Sequence, residues 1–271
     1  ERTIRRRRWY VSIIIALSAA SAQAEAYRIA TFSAPLSRDG PGLLLRDILK
    51  GDDPQVRATV GIIAQVNPDI LVLTDFDFDL DGLGLAAFAQ NFDKAYPYRF
   101  ALQPNAGLAT GLDLDGNGRL GEARDAQGYG RFAGDGGMAI LSKLPIAAPD
   151  VTDFSHLLWK DLPGAVLPQR AGGPFPSLRA QSMQRLSTTG HWIVPVIPEN
   201  GRAFSILAFS ATPPVFDGPE DMNGLRNRDE LRLWESVFDG HYGPPPESFV
   251  IAGNANLDPK AGQGLTAAMA A

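Results

Sequence analysis

The chain has 271 residues, 45% of them hydrophobic, which suits one large domain with a substantial core. Its formal net charge of −5 argues against tight, nonspecific nucleic-acid binding, which needs a basic surface. With no Cys, it has no disulfides, no thiolate nucleophile and no Cys-based zinc site.

The N-terminus carries a basic block, Arg5 to Arg8, then an apolar run from Trp9 to Ala20, then the small-x-small pattern Ala22-Gln23-Ala24. That order reads as a secretory signal peptide over residues 1–24, with residues 25–271 as the mature domain in the periplasm or outside the cell. The apolar run is short for a bilayer span, and no later segment looks transmembrane. Cleavage removes five Arg and one Glu, leaving 20 basic and 29 acidic side chains and a net charge of −9. A monomer without a stable membrane span is expected. The chain opens on Glu1 rather than Met and stops in the apolar run Leu265 to Ala271, which reads as truncation at both ends.

Tyr27 to Phe32 alternates as a strand does, and Pro41 to Lys50 reads as a short helix stopped by Gly51. Asp53-Pro54 is a helix N-cap with Pro at the first helical position, and Asn67-Pro68 closes that helix after Val66. Asp69 to Thr74 is a buried-type strand, and Asp81 to Phe92 a helix with Asp81 as its cap. Asp77, Asp79 and Asp81 otherwise read as solvated groups, although they could widen an acidic site around Asp75.

Residues 103–136 form a Gly- and Asp-rich loop region. Within it, Asp113, Asp115 and Asn117 fall at alternate positions before Gly118, the pattern of a calcium loop, with the Arg119 carbonyl as the next oxygen. The closing Glu is missing; Arg124 stands in its place, with Glu122 and Asp125 nearby. The other reading is a solvated loop.

Met138 to Ser142 is a strand, and residues 160–182 a Pro- and Gly-rich surface excursion. His191 to Ile197 and Ala203 to Ala211 form a hairpin around Glu199-Asn200-Gly201, and Phe249 to Ala252 is a last strand. Between them Arg226 to Phe238 reads as an amphipathic helix with Leu231, Trp234 and Phe238 toward the core. Its Arg226 and Arg228 either grip a phosphate or lie on a solvated face. Interleaved helices plus a hairpin favour a two-sheet α/β sandwich with flanking helices over a doubly wound parallel sheet.

Five segments recur in a familiar order: IATFSA at 29–34, DILVLTDFD at 69–77, GGMAILSKLP at 136–145, ILAFSATPP at 206–214 and IAGNANLDP at 251–259. Together they resemble the endonuclease/exonuclease/phosphatase superfamily, whose fold is deoxyribonuclease I-like with four layers. The resemblance implies phosphoester hydrolysis assisted by Mg²⁺ or Mn²⁺. It puts Asp75 where the family has a metal-binding Glu, Ser33 where it has an Asn, and Ser210 where it has a catalytic His. Asn254 falls at the position of the water-activating Asp, and Asn256 matches the family's Asn. The family's closing Asp-His has no counterpart. Asn254 is no base at neutral pH and Ser210 carries no positive charge. Losing a general base costs about 10²–10⁴ in rate. The implied function is therefore a phosphoester hydrolase impaired in turnover. The alternative is a non-catalytic exported binding module stabilised by calcium. His156, His191 and His241 are read as surface or core-edge residues, although His191 could approach a cleft.

Overall fold

The computed structural model describes residues 26–269. The signal peptide and its cleavage site lie outside the described residues. In chain order the elements are β1 (Ile29–Leu36), α1 (Leu43–Lys50), α2 (Pro54–Val66), β2 (Ile70–Phe76), α3 (Leu83–Ala89), β3 (Tyr98–Phe100), β4 (Gly137–Ser142), β5 (Thr152–Asp153), β6 (Gln169–Arg170), β7 (Gly173–Pro174), α4 (Leu178–Met183), β8 (Gly190–Val196), β9 (Phe204–Ser210), α5 (Met222–Phe238) and β10 (Phe249–Asn254).

Successive side chains of a strand face opposite sides, so a strand apolar at every position must be covered on both. That pattern builds four layers here. Leu71 and Leu73 of β2, with Ala139 and Leu141 of β4, pack on Leu44, Ile48, Val56, Ile63 and Phe88 from α1, α2 and α3. Their neighbours Ile70, Val72, Met138 and Ile140 turn inward to meet Trp192, Val194, Val196, Ile206 and Ala208 of the other sheet. Leu207 and Phe209 of β9 face outward again, against Leu233, Trp234 and Val237 of α5. The expected two-sheet sandwich with outer helices is what forms.

Each main sheet has four strands, in the orders β1-β2-β4-β3 and β10-β9-β8-β5. Each contains one parallel pair, β1 with β2 and β10 with β9; β4, β3, β8 and β5 all pair antiparallel. No helix among the described residues is long and apolar enough to cross a membrane.

The sequence-based boundaries hold best where local chemistry is explicit. Asp53 caps α2 by accepting from the Val56 N–H at 2.8 Å, and Asn67 ends it in a left-handed conformation with φ 45°. Two expectations need correction. The cap of α3 is not Asp81: Asp79 accepts from both Leu83 N–H and Gly84 N–H at 2.7 Å. Nor is α5 simply amphipathic, since Arg226, Asn227, Asp229 and Glu230 are all buried.

Candidate functional site

The candidate site residues lie toward the carboxyl ends of two parallel strand pairs. In the first sheet Ser33 of β1 lies opposite Thr74 of β2, one residue before Asp75. In the second, Ser210 of β9 lies opposite Asn254 of β10. Two links bring these ends to the same side of the sandwich. Thr31 Oγ1 donates to the Gly253 carbonyl at 3.2 Å, two residues before Ser33 and one before Asn254. A Cβ on Gly190 would lie 3.3 Å from Met138 Cε; Gly190 is the partner of Ser210, and Met138 of Thr74.

The first sheet supplies charge. Asp75 sits in a bulge that interrupts the pairing of β2 with both neighbours, with φ 61°, a left-handed conformation costly for a residue with a side chain. A Cβ on Gly136 would stand 3.3 Å from Asp75 Oδ1, so the backbone after Asp135 lies against this carboxylate. Burial pushes the Asp75 carboxyl above the usual range, opposed by the Ser37 hydroxyl and reinforced by the charge of Asp135. Asp77 is not solvated, as expected above, but buried; its carboxylate accepts from Arg38 N–H at 2.9 Å and Gly136 N–H at 3.0 Å. Burial, with Asp135 and Asp75 adding repulsion, raises it to about 6. Asp135 is itself buried and accepts from Arg131 N–H at 2.9 Å. Asp77 was read as a solvated group that could widen the site, and Asp135 escaped the sequence reading; its position, one residue before the GGMAILS segment, was the available signal.

The second sheet supplies none. Asn256 Nδ2 donates to the Ala211 carbonyl at 2.6 Å, and Asn256 N–H donates to Asn254 Oδ1 at 2.9 Å. Asn256, with φ 49°, is exposed, and Ser210 and Asn254 are half-buried. Among the described residues no histidine is hydrogen-bonded to them. His191 is fully buried instead, between a Ser187 hydroxyl at 2.7 Å from Nδ1 and the Glu230 carbonyl at 3.0 Å from Nε2. A carbonyl only accepts, so Nε2 carries the proton and Nδ1 accepts from Ser187. Burial pulls its pKa down to about 3. Arg226 is buried and spends its guanidinium on the carbonyls of Leu186, Gln127 and Arg185, and Arg228 pairs with Asp229 at 2.5 Å. Both are engaged, which removes them as phosphate grips.

Away from the strand ends, Asp113, Asp115 and Asp125 offer carboxylate oxygens within 4.8 Å of one another, an acidic cluster that could bind a metal. Asp113 accepts from the N–H groups of Gly116, Asn117 and Gly118 at 2.7, 3.2 and 2.8 Å. Asn117 turns its amide nitrogen to Asp115 Oδ2 and Glu122 Oε2, while its oxygen accepts from Arg119 N–H at 2.8 Å. The acid that completes this group is Asp125, buried, holding Leu114 N–H at 2.9 Å and Glu122 N–H at 3.0 Å. It lies one residue beyond the position at which a calcium loop closes with Glu.

The model of the Endonuclease/Exonuclease/phosphatase family matches residues 47–269. The chain belongs to that family. Among solved structures, it is similar to an endonuclease/exonuclease/phosphatase from Beutenbergia cavernae (16% identity, TM-score 0.47), covering 85% of this chain and 47% of that one. It is also similar to sphingomyelinase C from Streptomyces griseocarneus (16%, TM-score 0.48), covering 88% and 67%. A third is a Staphylococcus aureus beta toxin mutant with bound magnesium ions (13%, TM-score 0.45), covering 87% and 66%. No curated protein matches the sequence. The chain thus spans about half the length of the first of these family structures.

Proposed function

We propose that this chain is a divalent-metal-dependent phosphoester hydrolase, exported and monomeric, that retains metal and phosphate positioning but turns over poorly. The observation that carries the reading is the pairing of Ser210 with Asn254 across β9 and β10. Two groups that neither take up nor release a proton near neutral pH stand together where the family places its general base and its charge stabiliser. Asp75 fits a Mg²⁺ or Mn²⁺ ion: it is a hard oxygen donor whose carboxyl is raised by burial and by Asp135, so a nearby cation relieves both. A bound ion would polarise a phosphoryl oxygen. Ser33, Ser210 and Asn256 would then orient the phosphoester through neutral hydrogen bonds, with Asn254 fixing the turn that presents Asn256.

The test is hydrolysis of a chromogenic phosphodiester with Mg²⁺ or Mn²⁺. The parent is expected to be slow, and Ser210→His with Asn254→Asp faster. A parent as fast as the double variant would show that these two residues are not defects.

One observation favours a second reading, a calcium-stabilised binding module: Asp125 folds back onto Asp113 and Asp115. Turnover separates the two: the module binds calcium at millimolar concentration by calorimetry but gains no hydrolysis from Ser210→His with Asn254→Asp.

A further inference from the structure

The neutral half of the site is held by a buried polar face of α5. Glu230 and Asn227 are both 0% exposed, one helical turn apart. Glu230 Oε1 accepts from Thr188 N–H at 2.6 Å and Thr188 Oγ1 at 2.7 Å, and Oε2 accepts from Thr212 N–H at 2.7 Å. Asn227 Nδ2 donates to the Thr212 carbonyl at 2.7 Å and to the Ala255 carbonyl at 2.8 Å. Thr212 is therefore gripped through both its N–H and its C=O, two residues after Ser210. Ala255, gripped from the same amide, lies between Asn254 and Asn256. The loop closes on itself through Asn256 and Ala211. The remaining polar residues of this face act elsewhere: Arg226 on residues 127 and 185–187, and Asp229 on Trp159 Nε1 at 2.7 Å and Val166 N–H at 3.0 Å.

We propose that Glu230 and Asn227 are positioning residues of the phosphate site, clamping the loops after β9 and β10 so that Ser210 and Asn256 stand at fixed separation. The proposal rests on the phosphoester reading above. A buried donor left without its acceptor forces local rearrangement, and Glu230 is the acceptor of both the Thr188 and the Thr212 N–H groups. Glu230→Gln keeps the shape and reverses the polarity of one oxygen, setting N–H against N–H. Around Glu230 the charged and titratable groups are Arg226 on its own helix and His191 on β8; the loops at Thr188 and Thr212 contribute no charge. Burial raises Glu230 to about 7, against the Arg226 charge and the Thr188 and Thr212 donors, while His191 stays neutral.

The experiment follows amide resonances while inorganic phosphate is titrated in the presence of Mg²⁺. In the parent, phosphate should shift Thr212, Ala255 and Asn256. Glu230→Gln and Asn227→Ala should each weaken phosphate about tenfold, the scale of a lost buried hydrogen bond. Asp229→Asn, equally buried on the same helix, should lower stability and leave phosphate affinity within about twofold. Equal losses in all three variants would make Glu230 and Asn227 ordinary structural residues and overturn the proposal. So would parent affinity in Glu230→Gln and Asn227→Ala. A parent that shows no phosphate response would overturn the phosphoester reading itself. If Glu230→Gln does not fold, Asn227→Ala decides alone: parent phosphate affinity in that variant would sink the clamp.

Discussion

The two sheets have the same plan, a parallel pair extended by antiparallel strands, yet their functional ends differ in chemistry. The β1-β2 end gathers carboxylates, Asp75, Asp77 and Asp135, and Asp77 is raised to about 6. The β9-β10 end presents Ser210, Asn254 and Asn256, while Glu230 and His191 are sealed behind it in the core. On the proposed reading a cation would respond to the first end, and Ser210 and Asn254 at the second would move no proton near neutral pH. The comparison separates two roles that act together in phosphoester hydrolysis: holding the phosphate, and moving the proton and charge.

The largest expected effect comes from making the second end resemble an acid-base site. Ser210→His with Asn254→Asp should raise Mg²⁺-dependent phosphodiester hydrolysis by about 10²–10⁴. Both act on one transition state, so each single variant should give far less than half of the logarithmic gain. Asp75→Ala in the same background should abolish the gain. Retention of the gain in that triple variant, measured as initial rate against Mg²⁺ concentration, would break the assignment of charge to the first end and proton transfer to the second.

The sealed groups behind the second end should also appear in the pH dependence of stability. His191 is held near 3 against 6.5 in the unfolded chain, so its contribution is intact above pH 6.5 and is lost as pH falls through that window. Glu230 is held near 7 against 4.5, so its contribution is intact below pH 4.5 and is lost as pH rises toward 7. Between pH 4.5 and 6.5 the two slopes, each about 1.4 kcal/mol per unit, oppose each other. Asp77, held near 6 against 3.8, adds a second fall through most of this window, so urea unfolding should show the parent losing stability gently from pH 4.5 to 6. His191→Gln should steepen that fall, and Glu230→Gln should flatten it. Parallel curves for both variants would mean that neither group is sealed as described.

Much of this division was legible in the sequence, because it follows from local rules. Alternating burial in DILVLT and MAILS, the Asp53-Pro54 start of α2 and the turn at Asn67 need only nearest neighbours. So did the placing of Ser210 and Asn254 at strand ends. What was not legible depends on distant partners. β3 is only three residues long and exists because it pairs with β4 across a long loop. Asp77 looks like a surface acid until Gly136 closes over it, 59 positions away. Charged residues of α5 read as a solvated face because their partners, from Gln127 to Thr212, are spread along the chain.

Calcium offers a smaller and independent test, because its loop belongs to neither strand end. Burial and a bond to Asp113 raise the Asp115 carboxyl, and a cation should relieve that. At calcium about tenfold above its Kd the parent should gain about 1.4 kcal/mol, a rise in Tm of a few degrees. Asp115→Ala should lose the gain while keeping the Mg²⁺ response of the strand ends. A calcium shift that persists in Asp115→Ala but vanishes in Asp75→Ala would place the calcium at the first sheet instead.

The smallest effect lies within the charged end itself. Asp75, Asp77, Asp79 and Asp81 alternate along the chain, but only the first two face the other carboxylates. Asp79 spends both oxygens on Leu83 N–H and Gly84 N–H at the start of α3. The close fit leaves no slack, since a Cβ on Gly84 would stand 2.9 Å from Asp79 Oδ2. Removing a cap of this kind costs about 1 kcal/mol. Asp79→Ala should therefore lower unfolding free energy by about that amount, with Asp81→Ala near zero. Neither should alter Mg²⁺ affinity, whereas Asp75→Ala should remove it. If Asp79→Ala weakened Mg²⁺ binding as much as Asp75→Ala, the acidic stretch would be one diffuse site, and the distinction between a helix cap and a metal ligand two turns of the pattern apart would fail.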